Sequence, residues 1–197
     1  MDIKNKLIMT KNELRILYKQ KRSDISLKDK VKWDDLMLLQ LQTFNFEGVK
    51  TILTYWPIEE NNEPNTHLFT RYLQHFVPNL KVAYPVTDFT NNTMKSVLVE
   101  SEQFYTTNKY GLTEPKDGIE IEPNEIDLVF VPNLICDKNG FRVGYGKGFY
   151  DKFLAQCGQD VTLIGFNYFN PVESISDIDK FDIPLNYCIT PDEVFEF

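Results

Sequence analysis

Apolar positions along this chain alternate between a spacing of three to four residues and dense β-branched runs, and the changes mark out helices and strands in turn. Residues 10 to 22, TKNELRILYKQKR, place Leu14, Leu17 and Tyr18 on one stripe and predict a helix. Ser26 and Asp29 form an S-x-x-D capping pattern ahead of a second helix carrying Val31, Leu36, Leu39 and Leu41. Residues 49 to 56, VKTILTYW, are β-branched and aromatic and stop at Pro57, as a buried strand should. The polar run behind them, IEENNEPN, is a strand-end loop of the kind that carries ligand contacts in α/β folds. A helix over 66 to 76, a short strand over 81 to 85 and a strand over 94 to 100 follow, then turn-rich acidic stretches at 111 to 115 and 118 to 123. Residues 126 to 132, IDLVFVP, are nearly all apolar, which fits a strand covered on both faces. A loop, CDKNGFRVGYGKG, leads into a helix, FYDKFLAQC, and residues 161 to 166 and 186 to 190 give two last strands. The alternation predicts an α/β fold: a single domain over residues 1–197, three-layer α/β/α with a mainly parallel sheet.

Charge narrows the ligands. The net charge of −8 and pI near 4.8 oppose attraction to a nucleic-acid backbone or an anionic membrane, so neither partner is expected. No apolar run has bilayer-spanning length, and the N-terminal stretch lacks a secretory pattern, so a cytoplasmic protein is expected. Cys136, Cys157 and Cys188 are odd in number and far apart, which fits reduced thiols packed as small hydrophobes. In so acidic a chain, an anionic ligand needs a local basic cluster. Lys11, Arg15, Lys19 and Arg22 form one, spaced four, four and three along the first helix. Seen alone, such a stripe reads as a solvated helix face before it reads as an anion-binding edge.

Residues 140 to 153, GFRVGYGKGFYDKF, carry the strongest chemical signal. Gly144, Gly146 and Gly148 allow close backbone approach and positive φ, so successive N–H groups can converge on an anion. Lys147 lies between two of them, Arg142 shortly before, and a helix opening near Gly148 adds its N-terminal dipole. The segment is neither a P-loop, because positions 141 and 148 are Phe and Gly, nor a G-x-G-x-x-G turn. A glycine-rich connection without a ligand is the plain alternative. Asp151, one turn into the helix, is placed to hold Mg²⁺ bridging phosphate oxygens, or simply to complement the helix dipole. A second carboxylate is needed, and periodicity does not choose among Asp177, Asp179 and Asp182.

The run VPNLICDKNGFRVGYGKGFYDKFL resembles the signature of 5-formyltetrahydrofolate cyclo-ligases, approximately VPGLAFDxxGxRLGYGxGYYDRxL. KNELR, the E-x-x-T from Glu63 to Thr66, KVAYP, YGLTEP and FDIPLNYCIT extend the likeness across the chain. The resemblance implies a Rossmann-like fold and the conversion of 5-formyltetrahydrofolate into 5,10-methenyltetrahydrofolate, with Mg²⁺ and ATP as co-substrate. It implies ATP contacts from Lys11, Arg15, Arg142 and residues Gly144, Tyr145, Gly146, Lys147, Gly148, Phe149 and Tyr150. Lys147 and Arg142 become the catalytic cations, and Lys147 stabilises the transferring phosphoryl group. Asp151 and Asp182 become the metal acids. Trp56 and Glu63 become folate contacts, joined by Tyr145, Gly146, Lys147, Gly148 and Phe149, and Lys11 and Arg15, unlike Lys19 and Arg22, pass from the solvated stripe to a pocket edge. The protein is expected to act as a monomer or weak homo-oligomer. The chain departs from the family pattern at Asn133 (usually Gly), Cys136 (Phe), Val143 (Leu), Phe149 (Tyr) and Asn186 (often Asp).

Overall fold

The computed structural model describes residues 8–99 and 105–197. Helix α1 (Lys11–Ser23) starts at a reciprocal cap: the Thr10 side chain accepts from the Glu13 N–H, and the Glu13 side chain from the Thr10 N–H. Helix α2 (Leu27–Leu41) starts at Ser26, which accepts from the Asp29 N–H. Its inward face is not the expected one. Val31 and Leu39 are exposed, whereas Asp34, Met37 and Leu41 are buried. The rotation follows from Asp34, which accepts from Lys30 Nζ (2.8 Å), the Tyr168 hydroxyl (2.7 Å) and the Asn65 N–H (3.2 Å). A carboxylate with that many donors can be buried, and an apolar pattern does not register it.

After α2 come β1 (Thr51–Leu53), α3 (Thr66–Phe76), β2 (Lys81–Asp88), β3 (Thr93–Leu98), β4 (Tyr105–Thr107), β5 (Thr113–Pro115) and β6 (Ile119–Ile121). Then follow β7 (Leu128–Phe130), β8 (Ile135–Cys136), β9 (Arg142–Val143), α4 (Phe149–Leu154), β10 (Thr162–Phe166), β11 (Tyr187–Ile189) and β12 (Val194–Glu196). The main sheet has the order β12-β11-β10-β7-β1-β2-β3-β6. From β11 to β2 neighbours are parallel, and β12, β3 and β6 pair antiparallel at its margins. The chain builds outward from β1 to β2, then returns to place β7 on the other side of β1. The strand order therefore reverses between β1 and β7, where open α/β sheets bind ligands.

Strands β1 and β7 are buried throughout because both faces are covered. Met37, Leu41, Phe69 and Leu73 from α2 and α3 pack with Ile52, Leu128 and Phe130 on one face. Phe153 and Leu154 from α4 pack with Leu53, Val129 and Leu163 on the other. This is the expected three-layer α/β arrangement. Strand β2 tolerates Pro85 because it continues past its last β1 partner, Ala83, and there has only β3 beside it.

One segment expected as a loop holds a hairpin. Strands β8 and β9 pair antiparallel, and α1 packs Leu14 and Tyr18 against Leu134, Ile135 and Val143. The buried Asp137 carboxylate fixes the turn by accepting from the N–H groups of Asn139, Phe141 and Ile175. The hairpin thus seats α1, and with it Lys11 and Arg15, beside the glycine-rich segment.

Asn133, at a position where the family pattern has Gly, constrains β10. A Cβ at Gly165 would lie 2.6 Å from Asn133 Nδ2 and 2.6 Å from a Leu185 methyl. Gly165→Ala is therefore expected to destabilise the fold by about 1–3 kcal/mol through overpacking. Asn133→Gly in the same chain should recover part of that loss, seen as a non-additive double-mutant cycle in denaturant unfolding.

Candidate functional site

The C-terminal ends of β1, β2 and β7 open into a cavity of ≈ 520 Å³ at the order reversal. Strand β1 runs out into Tyr55 and Trp56, β2 contributes Pro85 and Thr87, and β7 leads to Pro132. Lys11 and Arg15 line it from α1, and Tyr110, Leu112 and Glu114 from the β4–β5 hairpin. Arg142 and the segment from Gly144 through Asp151, all of it lining, form a further wall, which Asp182 completes. Every residue the sequence singled out for ATP, folate or metal reaches this one cavity.

Its cationic end is held by ion pairs. Lys11 Nζ donates to Asp182, and the Lys11 N–H donates to Asp177 Oδ1 (2.6 Å), so the start of α1 is tied to the 177–182 segment. Arg142 is 8% exposed and donates Nη2 to Asp151 Oδ1 (2.8 Å) and Nη1 to the Ile183 carbonyl. Burial pulls its pKa down from the ordinary value, while the charges of Asp151 and Asp182 pull it up. The bonds to Asp151 fall on Oδ1 and those to Asp182 on Oδ2. Asp151 Oδ2 and Asp182 Oδ1 take no hydrogen bond among the described residues. No cluster of three or more potential metal ligands occurs among those residues. Two carboxylates with an open oxygen each fit Mg²⁺ in its usual mode, completed by water and phosphate oxygens, better than a dedicated protein cage.

The glycine-rich segment supplies donors. Gly146 and Gly148 have φ of 92° and 69°, which side chains rarely adopt. No hydrogen bond among the described residues uses the backbone N–H groups of residues 144 to 148, so this stretch of donors is available to an anion. Arg15 Nε donates to the Gly144 carbonyl (2.9 Å), and its guanidinium lies where a Cβ at Gly146 would approach within 3.3 Å. Lys19 Nζ sits 5.3 Å from the Tyr145 ring centroid. Lys147 is exposed and takes part in no ion pair among the described residues. Helix α4, expected to run to Cys157, ends at Leu154 and is six residues long, so it adds only a short dipole.

The floor is chemically different. Glu63 is 3% exposed; Oε1 accepts from the Tyr145 hydroxyl and Oε2 from the Ile58 N–H (2.8 Å). Burial pushes its pKa up, against the Tyr145 and Ile58 hydrogen bonds and the charges of Arg22 and Lys30. The Tyr150 hydroxyl is buried with no partner among the described residues, and burial raises its pKa strongly. Trp56 packs against His67 (4.2 Å between centroids) and Tyr105 (4.5 Å), so its ring is held in place.

Several lining residues escape sequence reasoning. Phe89 and Tyr110 stack at 4.0 Å, with Phe149 edge-on to Phe89 at 5.3 Å, making an aromatic wall. Isolated aromatics in polar, turn-rich stretches were its only signal. Glu114 lies within YGLTEP and accepts from the Thr87 N–H (2.9 Å) and Asn108 Nδ2 (3.1 Å). Arg22, grouped with the solvated stripe, is buried at 1% exposure. Asn186 lies outside the cavity and accepts from the Leu163 N–H (2.7 Å), a strand-joining role that an amide oxygen fills as well as a carboxylate.

Fold and site together define a doubly wound α/β enzyme whose cavity, at the sheet's switch point, is lined by unused backbone donors and by two carboxylates. The chain belongs to the 5-formyltetrahydrofolate cyclo-ligase family, whose sequence profile matches residues 8–191. It is 28% identical over 186 residues to the 5-formyltetrahydrofolate cyclo-ligase of Mycoplasma pneumoniae, covering 92% of this chain and 98% of that one. The NMR structure of Aquifex aeolicus 5,10-methenyltetrahydrofolate synthetase is similar with a TM-score of 0.77 and 26% identity, covering 95% of this chain and 93% of the other. The M. pneumoniae 5,10-methenyltetrahydrofolate synthetase structure gives 0.71 and 25%, covering 93% and 99%. No helix among the described residues is long and apolar enough to cross a membrane.

Proposed function

We propose that this protein uses ATP and Mg²⁺ to convert 5-formyltetrahydrofolate into 5,10-methenyltetrahydrofolate, releasing ADP and phosphate. The observation that carries the reading is the convergence, in one cavity at the switch point, of a cationic end (Lys11, Arg15, Arg142, Lys147) and a buried acid beside an aromatic floor (Glu63, Trp56). The first end matches a polyphosphate. The second matches a pterin, whose adjacent N–H donors suit the carboxylate of Glu63 and whose ring suits the face of Trp56. Family membership and the names of the relatives support the same reaction.

The formyl oxygen attacks the γ-phosphate and ADP leaves; N10 then closes on the activated carbon and gives up its proton, and phosphate departs. Phosphorylation turns a poor leaving oxygen into a good one, so the protein's task is positioning and charge stabilisation. Lys11 and Arg15 hold the polyphosphate along α1. The open N–H groups of residues 144 to 148 and Lys147 face the phosphoryl group in transfer. Arg142 holds Asp151 by its ion pair and adds positive charge from behind the acid. Asp151 and Asp182 would hold Mg²⁺, which neutralises phosphate charge when bound.

A spectrophotometric assay with ATP, Mg²⁺ and 5-formyltetrahydrofolate tests this. Methenyl-folate absorbance should grow with stoichiometric ADP, stop on chelation and resume with added Mg²⁺. ATP turnover without methenyl product would assign the site to another substrate on the same scaffold. Folate binding without turnover would make it a binding protein.

A further inference from the structure

The segment from Gly144 to Gly148 leaves its backbone N–H groups unused among the described residues, so side chains are what hold it. Arg15 Nε donates to the Gly144 carbonyl (2.9 Å), and the Arg15 guanidinium lies against Gly146. One residue of α1 thus grips the segment on both sides of Tyr145. The Tyr145 ring packs on the cluster formed by Leu14 and Tyr18 of α1 with Leu134, Ile135 and Val143 of the hairpin. From there its hydroxyl reaches the strand-end loop and donates to Glu63 Oε1. Burial raises the pKa of this phenol, so it stays protonated and remains the donor.

Glu63 takes its orientation from that bond. Its other oxygen, Oε2, accepts from the Ile58 N–H of its own loop (2.8 Å). The loop is tied to α1 as well: Asn62, in the left-handed region at φ 47°, donates Nδ2 to the Arg22 carbonyl (3.0 Å). A carboxylate held through one oxygen pivots about that contact, whereas a contact at each oxygen fixes its plane. Both oxygens keep a further lone-pair site for a substrate donor. A donor needed only to satisfy a buried acid could come from any packed element. Here it comes from the segment whose own N–H groups stand open to an anion.

We infer that the Tyr145 hydroxyl is a positioning contact that couples the two substrates: an anion seated on the glycine-rich segment holds the phenol on Glu63, and a pterin bound to Glu63 holds the segment ready for the anion. Each ligand meets part of the ordering cost of the other, so nucleotide and folate strengthen each other's binding by the same factor in either direction. The inference rests on the proposed function, which puts the polyphosphate on Arg15 and the glycine-rich segment and the pterin on Glu63.

Titration calorimetry with Mg²⁺, the β,γ-imido analogue of ATP and 5-formyltetrahydrofolate reads the coupling without turnover. In the unaltered chain the Kd for the folate should fall about tenfold at saturating analogue, and the Kd for the analogue should fall equally at saturating folate. Tyr145→Phe keeps the ring and removes the hydroxyl. In that variant the factor should drop to near one in both directions, while the analogue alone binds as before and thermal unfolding shows an intact fold. Absence of synergy in the unaltered chain overturns the inference, and so does full synergy in Tyr145→Phe. A Tyr145→Phe variant that binds each lone ligand more weakly but keeps the factor makes the residue purely structural, which also overturns it. A second measurement does not depend on the variant: the ¹³C signal of the Glu63 carboxyl should move when the analogue binds without folate. An unmoved signal with the analogue bound sinks the coupling. A moved signal with no binding of 5-formyltetrahydrofolate keeps the contact and refutes the folate reading instead, whereas failure of the analogue to bind refutes both.

Discussion

Lys147→Ala should lower turnover about a thousandfold or more and leave the fold untouched. The two halves of this expectation have separate origins. Lys147 is exposed, makes no ion pair among the described residues and sits between glycines of positive φ, so its removal takes no packing or pairing from the protein. Surface substitutions of that kind stay within about 0.5 kcal/mol. Lys147 nevertheless lines the cavity beside backbone donors that no group among the described residues uses. A positive charge placed where charge migrates during phosphoryl transfer acts mostly in the transition state, where single groups are worth about 10²–10⁵ in rate. The loss should therefore fall on kcat, with a smaller rise in KM for ATP. Steady-state kinetics paired with thermal unfolding check both halves. Near-normal kcat would remove Lys147 from the chemistry, and a large drop in Tm would give it a structural task.

How much of this was legible in the sequence differs between helix, sheet and site. Helix α1 was readable because Leu14 and Tyr18 recur at helical spacing, although Leu17, read on the same stripe, is exposed. The same helix hid Arg22. Positions 14, 18 and 22 share one face at four-residue spacing, so geometry extends the buried stripe to Arg22, while residue type assigns it to solvent. Residue type prevailed in the reading, and the structure follows the geometry. Strands β1, β7 and β10 were recognisable from apolar runs, but their order was not, because pairing of distant segments leaves no local trace. The switch point, and hence the meeting of Trp56 with Lys147, is a property of that order.

Short paired elements were the least visible. Strands β8 and β9 span two residues each and depend on Asp137 tying three N–H groups, an arrangement without periodicity. The aromatic wall of Phe89 and Tyr110 comes from two turn regions brought together by β2 and the β4–β5 hairpin. Asp182 marks the boundary between the two kinds of reading. Among three nearby acids, spacing could not select it, the family resemblance did, and the structure places it in the cavity on Lys11.

Glu63→Gln should abolish most folate turnover and at the same time stabilise the protein at neutral pH. Glu63 is buried, and burial is the largest influence on its pKa, which lies above the ordinary carboxylate value. The native state therefore binds this proton more tightly than the unfolded chain does. As pH rises from the unfolded carboxylate's range through the raised native value, stability falls, and above that value the full cost of an ionised buried group is in place. Glutamine removes that cost, which exceeds the lost attraction of Arg22 and Lys30, and keeps both hydrogen bonds: its amide oxygen can accept from the Ile58 N–H, and its NH₂ can donate to the Tyr145 hydroxyl, which turns to accept. Tm at neutral pH should rise by a few degrees, since each kcal/mol is worth about 2–4 °C in a chain of this size. The gain should shrink as pH is lowered and the native carboxyl protonates. Catalysis should move the other way. A neutral amide offers one acceptor where the pterin needs two and sets an N–H against an N–H, a mismatch that costs about 10²-fold or more in kcat/KM for the folate. KM for ATP, which the proposed function places along Lys11 and Arg15, should hardly change. Thermal unfolding across pH alongside kcat/KM for each substrate measures all of this. An unaltered folate kcat/KM would take Glu63 out of recognition, and a lower Tm would mean that its charge supports the fold rather than burdening it.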